Sequence, residues 1–279
     1  MKYKIVVDSC GELPVKLKED GHFQTVSLEL FVDDYHVVDD ENFNQKEFLR
    51  KVKESPNCPK SACPSPEAYE EAYDCEAEHV YAVTLSAQLS GSYNSAELGR
   101  KLYLEEKGEK KIHVFDSKSA SVGETLIAMK IQECEEAGLS FEEVVAKVDA
   151  YIAEQNTYFV LETLETLRKN GRLSNIKAFV ASALNIKPIM GSTPEGTICQ
   201  LSQARGMGKA LDKMVTTMMS KVRNPEQKIL AISHCNCPQR ALSVVEKVKS
   251  LGKFKDVLVL DTAGISSMYA NDGGVIMVV

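Results

Sequence analysis

The sequence predicts an α/β protein with two domains. The chain has 279 residues, which exceeds the usual size of one domain. In its first half, continuous apolar runs alternate with helical segments, as buried parallel strands and their crossover helices do. After about residue 155 this alternation gives way to shorter strands and a hairpin pattern. We therefore expect an N-terminal Rossmann-like parallel sheet with flanking helices over 1–155, and a C-terminal mixed α+β domain over 156–279.

Three apolar runs in the first half predict the parallel strands, at 4–8, 79–85 and 111–116. Each run ends in small or polar residues, and the second and third lead into segments with helical periodicity. Another helix begins at Ser140, because Glu143 stands three residues later and completes a capping box. The order of strand and helix is that of a parallel sheet with helices on its faces.

The second half mixes strand and helix signals. A short β-prone run at 157–161 precedes a helix that Gly171 ends, and 175–185 predicts another helix. The turn residues 192–196 separate two strands of a hairpin, and Pro188 predicts an edge position for the first of them. The remaining predicted elements are a helix over 206–222, the strand ILAIS, a helix opened by Pro238, and the strands VLVLD and VIMVV.

Composition narrows the classes of function. The net charge of −7 and the pI near 5.4 argue against a broad nucleic-acid surface, which needs a basic footprint. No apolar run approaches the roughly 18 residues of a membrane span, so we expect no stable membrane insertion. The N-terminus turns polar after three apolar residues, which predicts a first strand and not a signal peptide. We therefore expect a cytoplasmic protein.

The eight cysteines predict free thiols, as is usual for a cytosolic chain of this size. Cys235 and Cys237, with His234 beside them, form the only tight cluster in the sequence. Two ligands one residue apart lack the spacing and the second pair of a zinc site. We predict no metal.

The stretch TLSAQLSGSYNSAE, at 84–97, places hydroxyl residues where a strand ends and a helix begins. Ligands of open α/β sheets bind beyond the carboxyl ends of the strands, and a helix N-terminus favours an anion. Gly91 lets a ligand approach the backbone, and Ser90 can donate its hydroxyl to the same anion. The alternative is that Ser92 caps the helix while Ser90 is ordinary loop surface, and this stretch alone leaves both interpretations open.

The sequence offers no catalytic base for a serine nucleophile. His79 and His113 stand at or near strand starts, opposite the hydroxyl-rich end of the sheet, and no serine lies in a G-x-S-x-G motif. Nucleotide-binding glycine motifs are absent too. Asp8 and Asp116 are interpreted as turn caps. We predict no catalytic residues, and keep a serine-dependent esterase or hydrolase using Ser90 as the alternative.

Six segments, in order, resemble the DegV family, which includes the fatty-acid-binding subunits of bacterial fatty acid kinases. They are VVDSCGELP, SACPSP, LSAQLSGSYNSA, FDSKSAS, LETLRKNGRLS and LNIKPIM. The resemblance runs the length of the chain. It implies two α/β domains that bury a long acyl chain, with its carboxylate held near their junction.

The resemblance also implies the head-group residues. The carboxylate-binding hydroxyls fall on Ser61 and Ser90, with Gly91 and Arg172 in support. Ser61 replaces the usual threonine and preserves the hydroxyl. The family's C-terminal histidine has no counterpart here, and Ser267 stands nearest to its position.

The implied function is that of a carrier without enzymatic activity. It would bind a long-chain fatty acid such as palmitate or oleate, need no cofactor, and present the acid to a separate ATP-dependent fatty acid kinase. A lipid sensor without a kinase partner is a further alternative. The positive residues expected to face the kinase are Lys169, Arg172, Lys177 and Arg205.

Overall fold

A computed structural model describes residues 1–173 and 185–279. The first part contains β1 (Tyr3–Asp8), α1 (Val15–Lys18), β2 (Phe23–Val26), β3 (Glu29–Val32), β4 (Tyr35–Val38), α2 (Gln45–Glu54), β5 (Lys60–Ala62), α3 (Pro66–Tyr73), β6 (His79–Thr84), α4 (Ser92–Lys107), β7 (Lys111–Asp116), α5 (Val122–Glu136) and α6 (Phe141–Glu154). The second part contains β8 (Thr157–Val160), α7 (Glu165–Lys169), β9 (Ile186–Ser192), β10 (Ile198–Arg205), α8 (Met207–Met219), a 3₁₀ turn (Pro225–Gln227), β11 (Ile229–His234), α9 (Pro238–Leu251), β12 (Asp256–Asp261), α10 (Gly264–Ala270) and β13 (Val275–Val278). Within the described ranges, none of the helices combines the length and the apolar composition needed to cross a bilayer.

Four strands form the parallel sheet that the apolar runs predict, in the order β2-β1-β6-β7. Successive side chains of β1 face opposite sides of this sheet. Ile5 and Val7 pack against α5 and α6, whereas Val6 packs on the side of α3 and α4. Helices thus cover both faces, and the predicted α/β class is confirmed.

A second, antiparallel sheet in the order β4-β3-β5 was not predicted. Its strands have three or four residues, and β4 is only partly buried, so it lacks a continuous apolar run. The feature of the sequence that could have predicted part of this sheet is the two-residue turn Asp33-Asp34 between β-prone segments. Asp33 has a φ of 52°, the left-handed conformation that such a tight turn uses. This small sheet carries Ser61 in β5.

The second half of the chain forms a six-stranded mixed sheet in the order β10-β9-β8-β13-β11-β12. Only β11 and β12 pair in parallel. Met214 of α8 and Val244 of α9 belong to the core on one face. Leu126 of α5 packs against Ala231 and Val278 on the other face, so α5 contacts both large sheets.

The predicted edge position of the strand carrying Pro188 is wrong. This strand, β9, pairs with β10 on one side and with β8 on the other. Pairing with β8 is confined to Gly191 and Met190, however, and Pro188 lies beyond the last of these pairs. The missing N–H of proline is therefore accommodated past the end of the neighbouring strand and not at the edge of the sheet.

Several predicted helix boundaries are confirmed. The Ser140 hydroxyl accepts from the Glu143 amide at 3.3 Å, and the Glu143 carboxylate accepts from the Ser140 amide at 2.9 Å. Pro238 opens α9, and Gly171, with a φ of 77°, follows α7. The predicted helix over 175–185, which contains Lys177, lies almost wholly outside the described residues.

Candidate functional site

A pocket of about 760 Å³, including the part open to solvent, is walled by residues from both halves of the chain. The apolar wall comes from the end of β6, the following loop, β8, β10, α10 and β13. Its apolar members include Leu85, Leu89, Phe159, Leu161, Ile198, Ile265 and Ile276.

The polar side chains of this wall are largely bonded to one another. The hydroxyls of Ser119 and Thr157 lie 2.6 Å apart. The Ser121 hydroxyl lies 2.6 Å from that of Ser233 and 2.7 Å from a Glu12 carboxyl oxygen. Because these groups are already paired, they can border a hydrocarbon chain without losing hydrogen bonds.

Arg172 supplies a positive charge at the pocket wall. It follows α7 and is half-buried. Its Nε donates to the Leu89 carbonyl at 3.1 Å, and its Nη1 donates to the Asn170 carbonyl. The guanidinium carbon lies 6.0 Å from the ring centroid of Tyr269, another wall residue. These contacts fix the cation beside the loop that leads to Ser90.

Ser61, Ser90 and Gly91 lie outside the described pocket wall, although Ser61 and Ser90 each neighbour a wall residue. Ser61 lies beside the phenol of the wall residue Tyr269. Ser90 follows the wall residue Leu89. The structure therefore gathers these three residues and Arg172 around Leu89 and Tyr269.

The Ser90 loop is held by its own hydrogen bonds. The Ser90 amide donates to the Ser86 carbonyl at 3.0 Å, and the Ser90 hydroxyl accepts from the Ser92 amide at 3.2 Å. Gly91 occupies the N-cap position of α4, so the alternative in which Ser92 caps this helix is wrong. Ser92 is the first helical residue, and Ser90 provides the local hydroxyl instead. The Ser90 and Ser92 hydroxyl oxygens lie 3.1 Å apart, and either of them can donate to the other.

Gly91 leaves little room for a side chain, and its backbone conformation is ordinary. Its φ is −76°, which any residue adopts. A Cβ at this position would lie 3.0 Å from the Cys63 sulfur, tighter than an ordinary contact. The glycine thus lets the start of α4 approach the segment after β5, which carries Ser61.

The structure places Tyr269, and not Ser267, at the pocket. Ser267 does not belong to the described pocket wall, and its buried hydroxyl points to Thr262. The two hydroxyl oxygens lie 2.7 Å apart, and the Gln45 amide donates to Ser267 at 3.2 Å. Tyr269 lies two residues further along α10 and faces the pocket.

A buried acidic cluster behind the pocket was missed in the sequence. Ligand atoms of Asp8, Cys10 and Glu124 lie within 4.8 Å of one another, and Cys10 also lines the pocket. Burial, with the charge of Asp8, raises the pKa of Glu124 well above its usual value. Burial likewise raises the pKa of the Cys10 thiol. Both shifts favour protonated carboxyl and thiol groups in this cluster.

Asp8 and Asp116 serve as turn caps, as predicted. Asp8 accepts from the amides of Cys10 and Leu85 at 3.0 and 2.8 Å. Asp116 accepts from the amides of Ala87 and Lys118, each at 3.0 Å. The two carboxylates therefore hold together the loops after β1, β6 and β7, from which part of the pocket wall is built.

None of the five histidines, all of which lie in the described ranges, belongs to the pocket wall. His79 begins β6, at the end of the sheet away from the Ser90 loop, and its Nδ1 lies 2.6 Å from Glu135 Oε1. His234 ends β11 and lies 3.3 Å from an Asp261 oxygen. The described site thus offers an apolar pocket, hydroxyl groups and two cationic residues, Arg172 and Lys118.

The comparison of sequences covers nearly the whole chain. Residues 2–278 match the profile of the DegV family, which is described as uncharacterised. A DegV domain-containing protein of Streptococcus pneumoniae (strain ATCC BAA-255 / R6) is 34% identical over 284 residues. The match covers 99% of this chain and 98% of that protein.

Solved structures share the fold. A DegV family protein from Ruminococcus gnavus ATCC 29149, refined with vaccenic acid, gives a TM-score of 0.97 at 59% identity over 99% of each chain. The Streptococcus pneumoniae Fatty Acid Kinase B3 protein, loaded with linoleic acid, gives 0.87 at 31% identity over 100% of this chain and 99% of that one. The predicted resemblance is confirmed: the chain belongs to the DegV family.

Proposed function

We propose that this protein binds a long-chain fatty acid and presents its carboxylate to a separate ATP-dependent fatty acid kinase. The observation that carries the proposal is the apolar pocket with Arg172 in its wall, and with Ser61 and Ser90 next to the wall residues Tyr269 and Leu89. The vaccenic acid and linoleic acid of the two related structures support the same class of ligand. Palmitate and oleate are the ligands to test first.

The energetics make the head group decisive. Burying about 14 methylenes at ~0.8 kcal/mol each yields a gross gain of about 11 kcal/mol. Association and ordering cost about 4–15 kcal/mol, so the two terms are comparable. The carboxylate must also leave water, which costs several kcal/mol unless donors replace the lost hydrogen bonds. In this proposal the hydroxyls of Ser61 and Ser90 and the first amides of α4 are those donors, and Arg172 supplies charge.

The proposal assigns phosphoryl transfer to the partner and no catalytic residue, cofactor or metal to this chain. The name of the related Fatty Acid Kinase B3 protein supports a kinase partner. A carrier of this kind acts in the cytoplasm, where ATP is available. The alternative in which Ser90 is a hydrolytic nucleophile gains no support from its contacts, because its described hydroxyl partners are atoms of Ser92.

Native mass spectrometry tests the proposal directly. Protein purified from a bacterial host without added lipid should carry the mass of a long-chain fatty acid, and delipidated protein should take up added oleate. Retention of the apo mass after both treatments would contradict fatty acid binding. The same preparation should not hydrolyse p-nitrophenyl palmitate, and turnover that disappears in Ser90→Ala would instead establish the hydrolase.

A further inference from the structure

Tyr269 is held in a defined position by the anchoring of α10 at both ends. At the N-terminus, the Asp39 carboxylate accepts from the Gly264 and Ile265 amides at 2.6 and 2.8 Å. At the C-terminus, the Thr166 hydroxyl of α7 donates to the Asn271 side-chain oxygen at 3.4 Å, and the Asn271 side-chain amide donates to the Tyr269 carbonyl at 3.1 Å. A short helix fixed at both ends presents its side chains in constant directions, which a binding site requires.

The Tyr269 side chain lies where the proposed head-group residues meet. Its half-buried ring packs against apolar clusters from both halves of the chain, one around Leu30 and one around Phe159. The Arg172 guanidinium lies over this ring at 6.0 Å, and the Ser61 hydroxyl lies beside the phenol. The phenol is thus the polar end of a wall residue between a cation and a proposed carboxylate donor.

We propose that Tyr269 is a specificity-determining residue whose phenol O–H donates to the fatty acid carboxylate while its ring positions Arg172. This inference rests on the proposed function. Burial raises the pKa of Tyr269, opposed by the Ser61 hydroxyl and the Arg172 charge, so the phenol keeps its proton at neutral pH. A phenol that stays protonated is a hydrogen-bond donor, and a donor to a carboxylate makes a stronger bond than one to a neutral oxygen.

If Tyr269 donates to the carboxylate, it should distinguish a fatty acid from a fatty alcohol with the same hydrocarbon chain. Tyr269→Phe keeps the ring over Arg172 and removes only the donor. Oleate should then bind about tenfold more weakly, because a buried anionic oxygen is left short of a partner. Oleyl alcohol presents a neutral oxygen, and its dissociation constant should change less than about threefold.

Binding of both ligands is measured by titration calorimetry or by native mass spectrometry on delipidated protein. Tyr35→Phe, on β4 and outside the pocket wall, is the matched control and should change neither affinity. A double-mutant cycle with Ser61→Ala should give losses for oleate that are less than additive, because both donors hold one carboxylate.

Equal weakening of oleate and oleyl alcohol in Tyr269→Phe would overturn the proposal and assign the residue to pocket shape. Unchanged oleate binding would overturn it as well, while leaving the fatty acid site itself intact. A wild-type protein that binds no oleate would overturn the proposed function, and this assignment with it. Thermal denaturation of each variant identifies any loss of affinity that arises from unfolding.

Discussion

A carboxylate that enters a protein needs new hydrogen-bond donors, so single hydroxyls at its binding site have measurable effects. Replacing Ser90 by Ala should weaken oleate binding by about 1–3 kcal/mol, and Ser61→Ala should act similarly. The double variant should lose less than the sum if both hydroxyls serve the same carboxylate. Titration calorimetry measures all three losses.

The matched control for these serines is Ser95→Ala. Ser95 lies in the first turn of α4 and is half-buried, but its described side-chain neighbour is the Cys63 sulfur at 3.8 Å. Its removal should leave oleate affinity unchanged. Wild-type affinity in both Ser61→Ala and Ser90→Ala would place the carboxylate elsewhere along the pocket.

Glu12 links the loops of the first half to the start of α10, and it makes stability depend on pH. It accepts from the Ser121 hydroxyl at 2.7 Å and from the Ala263 amide at 3.4 Å. Burial, opposed by hydrogen bonds from serine side chains, raises the pKa of Glu12 from 4.5 to about 7. The folded state therefore binds more protons than the unfolded state between these two pH values, and the free energy of unfolding falls as pH rises through this window.

Glu12→Gln removes this titration. At 1.36 kcal/mol per unit of pKa, the variant should gain up to about 3 kcal/mol over the wild type between about pH 4.5 and pH 8. Urea unfolding at a series of pH values measures the difference. Glu47→Gln, at an exposed position of α2, should show no comparable trend. A difference between Glu12→Gln and the wild type that stays constant across this range would show that Glu12 does not titrate as described.

At the scale of elements, predictability follows burial. The strands β1, β6 and β7 belong to a sheet covered by helices on both faces, so their sequences are largely apolar runs that can be recognised. The strands β3, β4 and β5 have three or four residues, and β5 reads KSA, which carries no strand pattern. The edge position predicted from Pro188 was wrong for a related reason. Whether proline fits depends on how far the neighbouring strand β8 extends, and the sequence of β9 does not contain that information.

The residues of the candidate site could likewise be predicted only in part from the sequence. Serines at the exit of a strand could be recognised as a possible anion site, and family resemblance added Ser61 and Arg172. Tyr269 could not be found this way, because the helical phase of α10 decides which residue faces the pocket, and one turn contains both Ser267 and Tyr269. The cluster of Asp8 and Glu124 brings together residues more than one hundred positions apart, which only the fold reveals.

At the scale of the whole molecule, the pocket depends on both large sheets. Its wall combines loops that follow β6 and β7 with strands β8, β9 and β10. In chain order, β7 is the last strand of the parallel sheet and β8 is the first strand of the mixed sheet. The helix α5, between them in sequence, packs against strands of both sheets. We propose the division at residues 155 and 156 as the domain boundary, with head-group loops mainly on one side and much of the acyl slot on the other.

A kinase that reaches the carboxylate must dock near Arg172, and this makes Lys169 the charge to test. Lys169 is exposed at the end of α7, three residues before Arg172. The neighbouring Arg168 is already paired with Glu165 at 2.8 Å. Arg205 is also exposed, at the end of β10.

Lys169→Glu should slow acyl phosphate formation by the partner kinase several-fold, because charge reversal at an interface lowers the association rate. The difference from the wild type should shrink as salt is added, since exposed charges are screened. Oleate affinity should not change, because Lys169 does not belong to the described pocket wall. Arg205→Glu makes the same charge change at the other exposed cation expected to face the kinase, and it should slow the reaction without changing oleate affinity. If Arg205→Glu slows the reaction and Lys169→Glu does not, the kinase docks at the far end of β10. If oleate affinity and turnover fall together in Lys169→Glu, the residue supports the pocket and does not contact the kinase.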